Sequence, residues 1–330
     1  MRSRIFILIT FSFAAVNDAL AQDPQFSQFY ANPLYTNPAF AGASGKYRFV
    51  ITGRDQYTAL QNNYRTGSAS FDASIPSLGG GLGVIATTDV AGDGRLTTNT
   101  FSAVYAYQVN VNRFLTMRAG IEASLFQKGL DFSKFQFGDM IDDRYGFIYK
   151  TNELIPTQQR MFPNFDAGFL AYTQLFFAGF AVHNITQPNQ SFYDKNSSAD
   201  QFLLPRRYTA HAGLNLYLNY SRYDEERLLL SPNIIYMQQR NYNQLNLGFY
   251  IKKQALTAGM WFRQTSQNSD ALIFLVGIKL TKFRIGYSYD LTVSGAHTAT
   301  QGSNEISLAF EFLPPKHEGR VFKPLRCPVF

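Results

Sequence analysis

The residue types that most often carry out chemistry in proteins are few in this chain, and they are scattered. There are four histidines, each in a different segment: His183, His211, His297 and His317. No two of them have the spacing of metal ligands. The stretch "DVAGDGR" at 89–95 lacks the further carboxylates of a calcium loop. The glycine run at 79–83 precedes a predicted strand, not a helix, so it is not a phosphate-binding loop. We therefore expect no cofactor and no metal site.

A hydrolytic site at one rim of the molecule is the least favoured possibility. Two long predicted connections, 129–161 and 186–205, contain the acidic residues Asp139, Asp142, Asp143, Glu153, Asp194 and Asp200. A hydrolase needs a nucleophile, a base and an orienting acid close together, and no such set is adjacent in the sequence. Acids on long outer loops are usually solvated surface. We expect no catalytic residues and no enzymatic activity.

The chain begins with features of an exported protein. "MRSR" is a basic stretch, "IFILITFSFAAV" is an apolar run too short to span a membrane, and "ALA" ends at Ala21. Residues 1–21 are therefore predicted to be a signal peptide that is cleaved after Ala21. Charged residues make up 16% of the chain, against about 25% in ordinary soluble domains. Aromatic residues make up another 16%. This composition indicates an exported all-β protein.

The elements that would position any site are long strands with period-two alternation. In "RYTAHAGLNLYLNY" the residues between Tyr208 and Tyr220 alternate between an apolar and a polar face. Strands of ten to fourteen residues exceed the usual 5–6 of a soluble sandwich, and about ten residues suffice to cross a bilayer in a barrel. The pattern predicts fourteen strands: 46–57, 63–75, 80–89, 96–110, 113–128, 162–173, 175–185, 206–219, 227–239, 242–252, 255–264, 270–281, 282–291 and 303–313.

The predicted fold is a transmembrane, up-and-down, antiparallel β-barrel of about 14 strands in the outer membrane, spanning 46–313. The long predicted connections all fall on one side, as they do outside the cell in bacterial barrels. An even strand count then places both termini in the periplasm. The predicted periplasmic segments are 22–45 and 314–330. Both are irregular, rich in proline and partly apolar, so they could enter the lumen, cover the periplasmic rim or dock a partner protein.

The two terminal segments also carry a family resemblance. The stretch "QDPQFSQFYANPLYTNPAFAG" at 22–42 resembles the N-terminal signature of the PorP/SprF family of the type IX secretion system in Bacteroidota. Similarity continues in 163–192, in 293–312 and in the closing "LRCPVF", so it covers the whole predicted mature chain. The resemblance implies a non-enzymatic outer-membrane barrel that acts in export or surface anchoring of cargo proteins and in gliding motility. It also implies partners among the periplasmic and outer-membrane secretion components and the secreted cargo.

Residues that match the family signatures are candidates for partner binding or for plugging the barrel: Phe26, Gln28, Asn32, Pro33, Asn37, Pro38, Gly42, Arg326, Cys327 and Pro328. The sequence leaves these two roles open. Cys327 is the only cysteine, which excludes a disulfide within the chain; it is either a reactive thiol or a small apolar residue in a packed tail. The polar inner faces of the strands, which include Arg118, Glu122, Arg284 and Asp290, keep a second function open, that of a diffusion porin or small-solute channel. No nucleic-acid or small-molecule substrate is expected.

Overall fold

The computed structural model describes residues 23–59, 63–92, 96–131, 135, 137–142, 144–152, 159–192, 202–219, 228–266, 269–293 and 301–312. The predicted signal peptide, the predicted tail 314–330 and, with it, Arg326, Cys327 and Pro328 lie outside these ranges. The described residues form seventeen strands: β1 (Tyr47–Gln56), β2 (Tyr64–Ile75), β3 (Gly80–Ala91), β4 (Leu96–Asn110), β5 (Thr116–Leu130), β6 (Ile141–Asp142), β7 (Gly146–Phe147), β8 (Gln159–Tyr172), β9 (Phe176–His183), β10 (Arg207–Leu214), β11 (Leu216–Tyr217), β12 (Leu229–Gln239), β13 (Tyr242–Lys253), β14 (Leu256–Thr265), β15 (Ser269–Lys279), β16 (Phe283–Thr292) and β17 (Ser303–Phe312).

Fourteen strands make one closed antiparallel barrel. The strands β6 and β7 pair only with each other, in a small hairpin outside the barrel. The strands β10 and β11 both pair with β12 and are two parts of one barrel strand, interrupted at Asn215. The first strand, β1, pairs with the last, β17, and the β10–β12 pairing completes the ring. The predicted all-β barrel and its strand number are therefore confirmed, and the predicted strand bounds differ from these by three residues at most.

The barrel wall has its apolar side chains outside and its polar side chains inside, which is the opposite of a soluble protein. Outward side chains are apolar and exposed, as at Phe101 (57%), Ile121 (63%) and Val276 (57%). Inward side chains are polar and buried, as at Arg118 and Ser307. An apolar exterior around a polar interior is what a strand-built wall in lipid requires. Within the described ranges, no helix has both the length and the apolar character to cross a bilayer.

The two ends of the barrel differ in their connections. One end, the short-turn rim, carries the connections 76–79, 254–255 and 280–282; both the start of β1 and the end of β17 lie here. The opposite end, the long-loop rim, carries the two longest connections, 131–158 and 184–206. The connection 218–228 is longer than the sequence indicated and belongs to the short-turn rim.

The segment that precedes β1, residues 23–45, lies inside the barrel and is called the luminal segment below. Asp23 contacts Arg207 and Gln239 at the long-loop end of the lumen, and the segment then runs to Tyr47 at the short-turn rim. It contains one helical turn, Pro33–Thr36, and one 3-10 turn, Pro38–Phe40. Each turn begins with a proline, whose missing N–H is not needed there. Of the three locations that the sequence left open for these residues, they occupy the lumen.

The apolar core of the protein forms where the luminal segment meets one side of the barrel wall. It contains Phe29, Tyr30 and Phe40 from the segment and residues such as Tyr250 and Trp261 from the wall. The ring centroids of Phe29 and Trp261 are 5.0 Å apart, which is within the range of favourable aromatic pairs. The aromatic residues of the segment are thus buried by the barrel and not exposed at a rim.

Candidate functional site

The seven candidate residues of the N-terminal signature are all buried in the luminal segment: Phe26, Gln28, Asn32, Pro33, Asn37, Pro38 and Gly42. They contact the inner wall of the barrel along most of its length. The three C-terminal candidates lie in the part of the chain that the structure does not describe. The site that can be built from the structure is therefore the luminal segment, its contacts and the two mouths of the lumen.

Four buried charged side chains hold the early part of the luminal segment. Asp290 accepts from Arg54 at 2.8 Å and from Arg263 at 3.1 Å, while Arg54 also pairs with Glu305 at 3.2 Å. Ser27 lies in their midst: its backbone N–H donates to Glu305 at 2.6 Å and its hydroxyl to Asp290 at 2.5 Å. Two cations and two anions balance in number, and such buried groups persist only when each is paired and hydrogen-bonded.

Gln28 uses both ends of its side-chain amide. The NH₂ group donates to the backbone oxygen of Glu305 at 2.9 Å, and the carbonyl oxygen accepts from the Ser307 hydroxyl at 2.6 Å. Its backbone N–H donates to the Glu305 carboxylate at 3.1 Å. Further along, the Asn32 amide donates to the Ser68 hydroxyl at 3.0 Å on β2, which is separated from β17 by β1 alone. These side chains supply the hydrogen bonds that a buried irregular backbone cannot find in a sheet.

Asn37 caps the 3-10 turn and bonds the wall at the same time. Its side-chain oxygen accepts from the Ala39 N–H at 2.9 Å, and its amide donates to the Phe169 carbonyl at 3.0 Å. His211 lies 3.2 Å from the same amide and stacks on the ring of Phe40, with centroids 5.3 Å apart. His211 is thus a luminal polar residue with a packing role.

Glycines on the wall make room for the backbone of the luminal segment. A β-carbon at Gly120 would lie 2.4 Å from the Ala39 nitrogen, and one at Gly168 would lie 2.0 Å from the Asn37 side-chain oxygen. Gly42 has φ +69°, a left-handed conformation, and a β-carbon there would lie 2.7 Å from the Ala73 carbonyl. The segment therefore fits only because side chains are absent at these positions.

The short-turn mouth of the lumen is basic. Arg118 donates to the backbone oxygens of Ala39 and Ala41 in the last part of the luminal segment. Beyond it lie four inward cations, called the basic crescent: Lys46, Lys252, Lys279 and Arg284. Their neighbouring carboxylate, Glu311, binds Lys46 at 2.8 Å and also Arg284. Lys252 has no ion pair among the described residues, so the crescent keeps an excess of positive charge.

The long-loop end of the lumen contains a cavity of about 650 Å³, called the vestibule. Asp23 borders it and pairs with Arg207 at 3.3 Å, and Arg207 donates to the Tyr35 hydroxyl at 3.0 Å. Burial raises the pKa of Tyr35 to about 12, although the nearby Arg207 charge opposes the rise. The carboxylates Glu122 and Asp166 face the same space. The two mouths therefore differ in charge.

Sequence reasoning missed several residues of this site, including Ser27, Tyr35 and Arg54. Arg118, Glu122, Arg284 and Asp290 were assigned correctly to inward faces, but not to partners. The missed signal was the run of inward glycines on successive strands, which marks where another backbone approaches the wall closely.

Comparisons with known proteins agree with a membrane protein of secretion. A family model described as type IX secretion system membrane protein PorP/SprF matches residues 19–310. A comparison with the curated proteins gives no match. Among solved structures, the chain is similar to the Ralstonia pickettii toluene transporter TbuX, with 13% identity and a TM-score of 0.48 over 84% of this chain and 92% of that one. It is also similar to the CymD monoaromatic hydrocarbon channel, with 10% identity and a TM-score of 0.45 over 86% and 93% of the two chains.

Proposed function

Because this chain belongs to the PorP/SprF family of type IX secretion system membrane proteins, we propose that it is a non-enzymatic outer-membrane adaptor. It would act in export or surface anchoring of cargo proteins and in gliding motility. In this proposal the short-turn rim faces the periplasm and the long-loop rim faces outward, as is usual for bacterial barrels. The chain would leave the cytoplasm with a signal peptide that is cleaved after Ala21.

The observation that carries the proposal is the occupied lumen. The luminal segment runs between the two mouths and is tied to the wall by Ser27, Gln28 and Asn37. Buried ion pairs and hydrogen bonds of this kind fix one geometry, because breaking any one of them leaves a buried charge or polar group unpaired. A barrel filled in this way suits a rigid support for other proteins better than a wide pore.

The basic crescent supports a specific kind of partner at the short-turn rim. Its cations outnumber the neighbouring carboxylate, and Lys252 has no ion pair among the described residues. A periplasmic protein with an acidic surface would complement this charge and would be steered toward the rim. Lys46 and Arg284 already share Glu311, so Lys252 is the group through which such a partner would gain most.

Tagged co-purification from the native outer membrane tests the proposal. The tag is placed in the exposed stretch 144–147, and the intact chain is compared with a variant lacking residues 22–42. We expect secretion components and cargo to co-purify with the intact chain and to be lost with the variant. A point variant, Ser44→Ala, serves as the matched control, because its hydroxyl bonds only locally to Lys46. Equal recovery of partners with both variants, from barrels that migrate as folded, would contradict an adaptor role for the segment.

The second candidate function is a diffusion channel, and the vestibule favours it. A cavity of about 650 Å³ reaches into the lumen from the long-loop end. Conductance of the purified protein in a planar bilayer separates the two functions. Large, steady single-channel currents from the intact chain would support the channel, whereas silence from the intact chain with currents from a variant lacking residues 22–36 would support a filled adaptor barrel.

A further inference from the structure

We propose that the vestibule contains a binding site for a primary ammonium group, formed by Glu122, Asp166 and Ser102. The three residues lie on the neighbouring strands β4, β5 and β8, and all three border the same cavity of about 650 Å³. This volume is within the usual range of small-ligand sites. The inference goes beyond the adaptor role and does not depend on it.

Two carboxylates face each other across this part of the wall. Glu122 is directly opposite Asp166 in the register of β5 and β8, and both side chains are turned into the lumen. Like charges at directly opposed positions of an antiparallel pair destabilise it. The pair is therefore costly unless something positive lies between or beside the two groups.

Asp166 is already satisfied by groups of the barrel. Its carboxylate accepts from the Asn184 N–H at 2.8 Å and from the Asn164 amide at 2.9 Å, and it lies 3.0 Å from His183 Nδ1. A carboxylate has about four acceptor positions. Asp166 thus has capacity for one more donor and is held in a fixed orientation.

Glu122 lacks such support. Its side chain is 9% exposed, and the described part of the chain gives it no ion pair. Two cations border the vestibule, but Arg207 pairs with Asp23 and Lys128 donates to Gln190, so neither forms an ion pair with Glu122. A buried carboxylate without a cation is costly when it is ionised, and a proton or a bound cation removes that cost.

Ser102 supplies a further acceptor at the same place. Its hydroxyl is buried beside Glu122 and, apart from that carboxylate, has no hydrogen-bond partner among the described residues. An ammonium group has three N–H donors and no acceptor. The free positions on Glu122, Asp166 and Ser102 match these three donors, and the charge of the ligand would offset that of Glu122.

A metal ion fits the same residues less well. The described residues contain no group of three or more His, Cys, Asp or Glu side chains placed to hold one. Calcium takes six to eight oxygen ligands, whereas a primary ammonium needs three acceptors. The ammonium could come from a free amine or from a lysine side chain of a polypeptide that enters the long-loop mouth; the chemistry at the site is the same.

Calorimetric titration of the full chain in detergent tests the site. The probes are 1,5-diaminopentane as a free amine and a peptide with a single lysine as a polypeptide source, with 1-pentanol as the neutral comparison and calcium chloride as the metal. We expect one diamine or peptide to bind per chain and 1-pentanol not to bind. Whichever of the two amines binds more tightly identifies the source. Calcium binding that exceeds both amines would overturn the assignment.

The variant Glu122→Gln keeps the shape of the side chain and removes its charge, so it should weaken amine binding at least tenfold. Ser102→Ala is the second variant and should weaken it severalfold. Asp89→Asn is the matched control: Asp89 borders the same cavity but is bonded to Thr66 at 2.6 Å, and binding should stay within twofold. Unchanged binding in Glu122→Gln and Ser102→Ala, or equal weakening in the control, would overturn the site. Neither result would alter partner co-purification, so this failure is distinct from that of the adaptor.

Discussion

The hydroxyl oxygen of Ser27 lies 2.5 Å from Oδ2 of Asp290, although the two residues are 263 positions apart in the chain. The irregular stretch that begins the luminal segment is thereby bonded to β16. The same hydroxyl accepts from Arg54 at 2.6 Å and from Arg263 at 2.8 Å. One small side chain therefore connects three charged groups of the wall.

Replacing Ser27 with alanine should destabilise the protein. The change leaves two buried guanidinium groups and one carboxylate each short of a hydrogen bond, and a hydrogen bond to a charged group contributes about 1.5–3 kcal/mol. We expect a loss of that order in the free energy of unfolding, measured by urea titration of the refolded barrel in detergent micelles. Ser44→Ala should lose much less. Equal stability of the two variants would show that the charged cluster does not depend on Ser27.

Replacing Gly42 with alanine should lower the free energy of unfolding more than replacing Gly92 does. Both glycines have a left-handed φ, +69° and +61°, so alanine is strained at either by about 1–2 kcal/mol. Only at Gly42 would the new β-carbon collide with backbone, 2.7 Å from Ala73 and 2.8 Å from Gly81, whereas nothing lies within 4 Å at Gly92. Gly42→Ala should therefore lose about 1–3 kcal/mol more than Gly92→Ala. Similar unfolding midpoints would contradict this close approach.

The phenol of Tyr35 should make stability depend on alkaline pH. Burial raises its pKa to about 12 in the folded protein from 10.0, so the unfolded chain releases this proton first. The contribution of the protonated Tyr35 to the free energy of unfolding is fully present below pH 10 and is lost as the pH rises toward 12. Subtracting the stability of Tyr35→Phe from that of the intact chain isolates the effect. The difference should be constant from pH 8 to 9.5 and should fall above pH 10; a flat difference up to pH 12 would refute it.

Reversing one charge of the basic crescent should weaken partner binding. Lys252→Glu changes the local charge by two units at the short-turn mouth, where an acidic partner is proposed. Recovery of secretion components in co-purification should fall severalfold and become less sensitive to salt. Lys150→Glu makes the same change in the connection 131–158 at the opposite rim, where residue 150 is exposed, and should leave recovery unchanged. Equal recovery with Lys252→Glu would exclude the crescent as the docking surface.

The barrel was predictable because its signal is local. Period-two alternation over ten or more residues identifies a segment as a strand and shows which of its side chains point inward. Neighbouring strands of an up-and-down barrel are also consecutive in sequence. The interruption at Asn215 and the small hairpin of β6 and β7 were not predicted, since two-residue strands carry no periodicity of their own.

The interior could not be predicted in the same way. The partner of Ser27 is 263 residues away, and Arg54 reaches Glu305 across 251 residues, so no spacing rule connects them. Alternation identifies a side chain as inward, but it does not say which other inward side chain it meets. The composition of 22–42 did indicate a packed segment, because aromatic residues of that number are not left in water.

The bonds of Ser27 and Gln28 also link the luminal segment to the closure of the ring. Both bond to Glu305, which lies in the strand that closes the ring against β1. The part of the chain that emerges first during synthesis thus gains these anchors only when the part that emerges last has arrived. The bonds of Asn32 and Asn37 to β2 and β8 do not involve that strand, so closure of the ring adds the last anchors of the segment and not the first.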